Sequence, residues 1–478
     1  MTRWLPKRRF LTATLSLLVV LSILSWRWNE LAHRWAAGTL DGFFHADNAQ
    51  ESPWSAAIQE FLRRPVRSYD EAVTLNSASC PTEGVNFDTA SVRENEAKWR
   101  SISASQISTW RSEMAAYLEE RWQSGGEGGR GGEEDTDAPR GRGIVMAAGD
   151  SKAAIRARTN IRLLRSYNCT LAVEIFHFEG ELAGPERHLL EEILAPEVAD
   201  GRGDRSPVHF RLVKGVKGND WKAFQIKGAA LQQSSFDEIL YLDTDSYPLR
   251  NPESLFESKQ WEETGLLLWP DFTKSHATNP LWRLLGQPCR DEYEGESGQI
   301  AISRSRHQDL LWLVEYFARR YQDFYGFMGG DRDSFRAAAL LLGKSWSGPA
   351  RLIAAAGTAP NDAVEVRGHT MLQAGLDGSW MFVHANLIKH GRFPRPLWKK
   401  ITRAANDRFE RGTYGNINPP NDLLGKGVKI RVDQQPRMQT IMEPFEGYDK
   451  ALVVVEDWDA YEELRGFEDR WFGLGGVH

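Results

Sequence analysis

Between Phe236 and Leu249 the chain reads FDEILYLDTDSYPL, an apolar run from Ile239 to Leu242 that leads straight into two carboxylates one residue apart, Asp243 and Asp245. Alternate residues of a β-strand point to one side, so two carboxylates at a strand end can converge on a single hard cation, and such a cation holds a diphosphate. An acidic pair can also do no more than cap or solvate a turn. The surroundings decide between these readings. Trp221 to Leu231 (WKAFQIKGAAL) has helical spacing, Ser234 and Ser235 mark a turn, and the apolar run follows. Together they predict an αβ unit whose strand ends in the acidic pair. In open α/β sheets a ligand binds beyond the carboxyl ends of the strands, which is where Asp243 and Asp245 fall.

The same alternation starts at Gly143-Ile-Val-Met-Ala-Ala-Gly149, a short apolar strand followed by Asp150 and a helix over about 152–165. Strands at Leu171 to His177 and near Val208 to Leu212 come next. Strands alternating with helices predict an α/β domain with a mostly parallel central sheet. The glycines of the insertion at 124–137 follow no apolar strand and open no helix, and no strand of the domain leads into a GxGxxG, so a dinucleotide cofactor is not indicated. Lys222 and Lys227, five apart on the expected helix, are candidate phosphate or ribose partners, or lie on a solvated helix face.

Three later stretches carry candidate chemistry. In Glu294-Gly-Glu-Ser-Gly-Gln-Ile-Ala-Ile-Ser303, Glu296 and Gln299 flank a small Ser-Gly pair at the expected start of a strand, an arrangement that lets a ligand approach closely and be gripped through sugar hydroxyls. In Phe327-Met-Gly-Gly-Asp-Arg-Asp-Ser-Phe-Arg336, Asp331 and Asp333 stand at a helix N-terminus, where either can simply be an N-cap. Of the two, Asp331 is expected at the reaction, because the Gly329-Gly330 turn admits a sugar. In Trp380 to His390, His384 directly follows an apolar strand and can complete a metal shell that Asp243 and Asp245 leave open, or be a satisfied core histidine.

The ordered series LDTDSYPLRNPESLFE, TGLLLWPDF, NPLWRLLG, ESGQIAIS, GGDRDSFR and FVHANLIKHG resembles the fungal MNN-type α-mannosyltransferases of glycosyltransferase family 71, over roughly 143 to 395. That resemblance implies a GT-A fold, a type II Golgi membrane protein, a GDP-mannose donor, a divalent cation, usually Mn²⁺, and transfer with retention in α-1,2 or α-1,3 linkage. By similarity Asp243 and Asp245 form the DxD site, and His384 stands where GT-A enzymes often place another metal ligand. Asp245 and His384 would hold the metal and Asp243 orient it or the ribose, with Glu296, Asp331 and Asp333 as the carboxylates for a double-displacement route. A front-face route needs no such carboxylate. The implied acceptor is a mannose-containing glycan of a glycoprotein, the implied setting the Golgi membrane, with homo- or hetero-oligomers allowed. Two competing readings remain: a GT-A enzyme using a UDP-sugar, and a non-catalytic subunit of a glycosyltransferase complex.

Outside this domain the chain gives a layout. Arg3, Lys7, Arg8 and Arg9 precede an uncharged run, Phe10 to Trp26, at the short end of the roughly 17–25 residues that span a bilayer. The expected order is a cytoplasmic tail (1–9), an anchor (10–26), a lumenal stem (27–142), the catalytic domain (143–395) and an extension packed on it (396–478). Within the stem, Trp99, Ile102, Ile107, Trp110, Met114, Tyr117 and Leu118 recur at helical spacing and predict one helix from Val92 to Trp122. Core packing is the ordinary use of such a stripe, a sugar-binding surface the other. Ser124 to Asp137 is Gly-rich and acidic, a flexible insertion with too little apolar surface to order itself. A net charge of −6 with no basic stripe argues against a nucleic-acid partner. The three cysteines, Cys80, Cys169 and Cys289, allow at most one intramolecular bridge, and Asn168-Cys-Thr170 is an N-glycosylation sequon.

Overall fold

A computed structural model describes residues 55–80, 83–87, 89–124, 141–182, 184–191, 207–216, 224–358, 367–409, 424–433 and 438–477. Among these residues four helices come first: α1 (Ser55–Arg63), α2 (Tyr69–Ser79), α3 (Thr89–Ser101) and α4 (Ala104–Gln123). The single helix expected from 92 to 122 is thus two. Ser103 breaks it by turning extended and accepting a hydrogen bond from the Gln106 amide at 3.0 Å, an N-cap that restarts the helix. The aromatic stripe is core: Trp99, Ile107, Trp110, Met114 and Leu118 are buried in one cluster with residues of the following domain.

That domain is layered because its strands send alternate residues to opposite faces. β1 (Arg142–Ala147) turns Ile144 and Met146 towards α5 (Ser151–Ser166), and Val145 to the other side. Asp150 starts α5 by accepting from the Ala153 amide at 2.7 Å. β2 (Ala172–His177), α6 (Pro185–Glu191), β3 (Val208–Leu212), α7 (Ile226–Gln233) and β4 (Glu238–Leu242) follow. Leu240 and Leu242 of β4 join the α5 face, while Ile239 and Tyr241 face α7. Two short elements, β5 (Ser246–Pro248) and α8 (Lys259–Thr264), precede β6 (Leu266–Lys274), α9 (Pro280–Leu285) and β7 (Tyr293–Ser303). Helices α10 (Gln308–Arg319), α11 (Tyr321–Met328) and α12 (Ser334–Leu341) complete the layer on the α7 side.

The first sheet has the order β3-β2-β1-β4-β7-β6. β3, β2, β1 and β4 are parallel, whereas β7 runs antiparallel to both β4 and β6. The sheet is therefore mixed, less uniformly parallel than the expectation. β7 follows β6 through the short α9 and a turn, without the long crossover that a parallel neighbour requires.

A second, antiparallel sheet takes β8 (Ala354–Thr358), β9 (Arg367–Ala374), β10 (Trp380–His384), β11 (Lys400–Ala404), β12 (Val428–Asp433), β13 (Gln439–Pro444) and β14 (Val453–Asp457), with β5 joined through β10. Strands from both sides of residue 395 interleave in it. The last helix, α13 (Phe467–Gly473), packs Phe467 and Trp471 on this sheet beside Trp398 and Trp458. Cys80 and Cys289 form a disulfide, and Cys169 is a buried free thiol. The expected anchor and the Gly-rich insertion lie outside the described residues, and among those described no helix is long and apolar enough to cross a membrane.

Candidate functional site

The acidic pair occupies the turn that carries the chain from the first sheet to the second. β4 ends at Leu242, the Ser246 amide donates to the Asp243 carbonyl at 2.9 Å, and β5 then pairs antiparallel with β10, setting Ser246 opposite His384. The Ala385 amide donates to the Asp245 carbonyl at 2.8 Å and fixes that register. In consequence one ligand atom from each of Asp243, Asp245 and His384 lies within 4.8 Å of the others. Asp245 and His384 are buried, while the Asp243 side chain stays 31% exposed and gives the cluster its open side.

Each member is held from behind. Tyr241, two residues earlier on the same strand face, donates its hydroxyl to Asp243 Oδ1 at 3.0 Å. His384 sets Nε2 3.5 Å from Asp245 Oδ1, and its Nδ1 lies 3.1 Å from Glu296 Oε1, within ion-pair reach though not aligned as a hydrogen bond. Glu296 is itself fixed, accepting from the Gly298 amide at 2.8 Å and from Gln299 Nε2 at 2.7 Å, while Gln299 Oε1 accepts from Ser246 Oγ at 3.0 Å. A Cβ on residue 298 would stand 2.5 Å from His384 Nδ1, so the Ser-Gly pair makes room for the imidazole. Both residues lie inside β7 and not at its start.

The charge state follows from this crowding. Burial opposes a charged His384, yet Glu296 and Asp245 outweigh it and push its pKa up to about 10. Burial likewise favours a neutral Asp245 and is overcome by His384 and Lys389, which hold its carboxyl well below the usual range. Burial raises the Asp243 pKa, with Lys227 opposing. The site thus gathers carboxylates whose charge is compensated by an imidazolium and two ammonium groups. A divalent cation suits this donor set once it displaces the proton from His384: hard carboxylate oxygens, the neutral imidazole's Nε2 facing them, and a carboxylate behind Nδ1 to orient the ring.

Lys227 leaves the expected role of a free phosphate partner and is built into the floor. Its ammonium is 2.8 Å from Asp331 Oδ2, 2.7 Å from the Ser297 carbonyl and 3.4 Å from Asp243. Lys222 lies outside the described residues. Asp331 is held by Lys227 and, at 3.5 Å, by Ser297 Oγ. Its Oδ1 has no protein partner among the described residues. Asp333 occupies the N-cap position of α12 but makes no side-chain cap. It is fully buried, with Oδ1 accepting from the Gly295 amide at 2.6 Å and from Arg336 Nε at 2.7 Å, and Oδ2 from Arg336 Nη2 at 2.7 Å. Two residues escaped the sequence reading. Lys389, 2.7 Å from Asp245 Oδ2, is signalled only by a basic residue five places after His384. Tyr241 is signalled by its place two residues before Asp243.

Residues 141–294 match the family model Mannosyl_trans3, a mannosyltransferase model. Alpha-1,2-mannosyltransferase MNN21 of Candida albicans is 28% identical over 278 residues, covering 46% of this chain and 41% of that protein. Alpha-1,2-mannosyltransferase MNN2 of Saccharomyces cerevisiae is 31% identical over 143 residues, covering 30% of this chain and 23% of that protein. The chain thus spans less than half the length of these curated relatives. Among solved structures, the bifunctional glycosyltransferase WbbM overlaps at a TM-score of 0.31 with 11% identity, covering 44% of this chain and 38% of that one. The resemblance read from the six ordered motifs is borne out, and the chain is related to the fungal MNN-type α-mannosyltransferases.

Proposed function

We propose that the chain is a GT-A-type, metal-dependent α-mannosyltransferase of the Golgi lumen, transferring mannose from GDP-mannose to a mannose-containing glycan with retention. The observation that carries this reading is the cluster that His384 of β10 forms with Asp243 and Asp245 beyond the end of β4, the two aspartates lying inside the segment that matches the mannosyltransferase model. The relatives' α-1,2 activity favours that linkage over α-1,3. A divalent cation held by the three residues would act as a Lewis acid on the departing diphosphate.

The protein's own groups do the rest. Lys389 supplies further positive charge at the acidic pair, and Glu296 keeps His384 turned towards it. Lys227 locks Asp331 against Ser297, so that Asp331 Oδ1 is the carboxylate oxygen left to act at the sugar. In the transfer the bond from the anomeric carbon to the diphosphate oxygen breaks, and the acceptor hydroxyl oxygen bonds to that carbon. On a front-face route the departing phosphate takes the hydroxyl proton while Asp331 steadies the positive charge at the anomeric carbon. On a double-displacement route Asp331 bonds to the anomeric carbon as the diphosphate leaves, and the acceptor hydroxyl oxygen then displaces Asp331 while the hydroxyl proton passes to the departed phosphate.

The Golgi placement rests on the basic flank Arg3 to Arg9 before the apolar run, and a disulfide between Cys80 and Cys289 suits an oxidising lumen. Protection of a C-terminal tag from protease in sealed microsomes is the expected result; digestion reverses the topology. For the activity, the full chain is incubated with a panel of nucleotide sugars, Mn²⁺ and α-mannobiose, and the product linkage identified. Transfer from GDP-mannose that is lost in EDTA and in Asp245→Asn supports the reading. Transfer from a UDP-sugar alone establishes the competing enzyme, and a folded chain that uses no donor is the non-catalytic subunit.

A further inference from the structure

One motif of the sequence takes no part in the proposed reaction. Asn168-Cys-Thr170 is the single N-x-Ser/Thr triplet in the chain's 478 residues, and it forms the turn that leads from α5 into β2. Tyr167 ends α5, and Asn168 follows it in the left-handed region at φ 59°. The backbone here is tied down. The Asn168 amide donates to the Arg165 carbonyl at 3.0 Å, and its carbonyl accepts from Asn251 Nδ2 at 3.2 Å. Cys169 turns into the core, and Thr170 returns to the surface, donating Oγ1 to Glu253 Oε1 at 3.1 Å. The Asn168 side chain, by contrast, is exposed and has no hydrogen-bond partner among the described residues.

A left-handed asparagine just past a helix can serve only to end it. That use accounts for the backbone and leaves the carboxamide unemployed, whereas N-glycosylation takes an open carboxamide with a hydroxyl two residues on. We infer that Asn168 is a modification site carrying an N-linked oligosaccharide. The inference rests on the lumenal placement proposed above. In the transfer Asn168 Nδ2 bonds to the anomeric carbon of an oligosaccharide borne on a polyprenyl diphosphate, the bond from that carbon to the diphosphate oxygen breaks, and the carboxamide gives up one proton to a base of the transferring enzyme. Because Glu253 holds the Thr170 hydroxyl in the fold, the transfer precedes closure of this turn, and the exposed side chain then leaves the oligosaccharide in solvent. Asn168 precedes β2 at the amino ends of the parallel strands, while Asp243 follows β4 at their carboxyl ends, roughly 16 Å away for a five-residue strand. The oligosaccharide is therefore attached away from the acidic cluster.

Asn168→Gly, Thr170→Ala and Thr170→Ser, made singly in the full chain with a C-terminal tag, are expressed in a eukaryotic cell. Glycine suits the left-handed turn, and serine keeps both the hydroxyl and the triplet. Electrophoretic mobility before and after peptide N-glycosidase, with mass spectrometry of the peptide that contains Asn168, reads the modification, and the thermal midpoint serves as a folding control. The parent and Thr170→Ser are expected to carry the oligosaccharide and to shift on digestion. Asn168→Gly and Thr170→Ala are expected to lose it, with Asn168→Gly turning over as the parent does. A parent whose tag is protected from protease in sealed microsomes but whose Asn168 is unmodified overturns the inference and leaves the lumenal placement intact. An oligosaccharide that persists in Asn168→Gly also overturns it. A digested tag together with an unmodified Asn168 removes the lumenal placement and the inference with it.

Discussion

Glu296 touches no expected metal-ligand atom other than His384, yet it governs which ring nitrogen faces the acidic pair. A carboxylate behind a metal-bound imidazole is worth roughly 10–100-fold in metal affinity. Glu296→Gln should therefore weaken Mn²⁺ binding by about that factor, measured by titration without donor, while Gln keeps an acceptor for the Gly298 amide. Unchanged Mn²⁺ affinity would show that the ring is oriented by other contacts. A second histidine, His307, illustrates the opposite electrostatics. Its Nε2 donates to the Thr264 carbonyl at 2.7 Å, and burial, with Lys344 and Arg306 adding to it, pushes its pKa down to about 4. The unfolded chain binds a proton near the ordinary 6.5, the folded one does not until about 4, so its contribution is whole above that ordinary value and is lost as pH falls between the two. His307→Gln keeps a donor for Thr264 and has no charge to gain. Relative to the parent, it should recover up to about 3 kcal/mol between pH 7 and pH 4 in urea-unfolding midpoints. A difference independent of pH would sink this assignment.

The loop joining α11 to α12 sets two carboxylates two residues apart in unlike environments, and the sequence ordered them only through the Gly329-Gly330 turn before Asp331, with no sign of the partners that hold Asp333. Asp333 closes a buried ion pair with Arg336, which also reaches Glu292 at 2.7 Å, whereas Asp331 faces Lys227 with one oxygen free. Removing one partner of a buried pair costs up to about 3 kcal/mol, less where another carboxylate remains, as Glu292 does beside Arg336. Asp333→Asn should accordingly lower the melting temperature clearly, while Asp331→Asn should keep it and reduce turnover roughly 10²-fold or more. The reverse pattern would exchange their roles; retained turnover in both would leave Glu296 as the leading carboxylate. The strands dense in apolar residues were legible, β1, β2 and β4 among them, and so were Asp243, Asp245 and His384 at strand ends. What stayed hidden depends on non-local pairing. β8 is Ala-Ala-Ala-Gly-Thr, with no alternation to mark a strand, and it is specified by its neighbours β9 and β11. The break at Ser103 was masked because Trp99 and Ile107 keep helical spacing across it.

Across the whole molecule, the N-terminal helices are tied to the domain that carries the site by a polar and a covalent link at one place. Asn76 of α2 donates to the Ala277 carbonyl at 2.8 Å and accepts from the Cys289 amide at 2.8 Å, and Cys289 is bonded to Cys80 across 209 residues of chain. Cross-linking so large a loop restricts the unfolded ensemble, and bridges of this kind typically contribute about 2–4 kcal/mol. Neither cysteine nor Asn76 bonds to Asp243, Asp245 or His384 among the described residues, so the bridge should act on stability and not on the chemistry. The Cys80→Ser, Cys289→Ser double variant should then unfold at a lower temperature than the parent yet turn over normally where both are folded. Dithiothreitol should lower the parent's midpoint and leave the variant's unchanged. Thiol counting gives an independent reading, since Cys169 is buried and burial, the largest effect on it, raises its pKa to about 12. The native parent should be inert to iodoacetamide, and the denatured, unreduced parent should take up a single carbamidomethyl group, on Cys169. Three groups on protein isolated without reductant would mean that the bridge does not form, and with it would go the structural argument for an oxidising compartment.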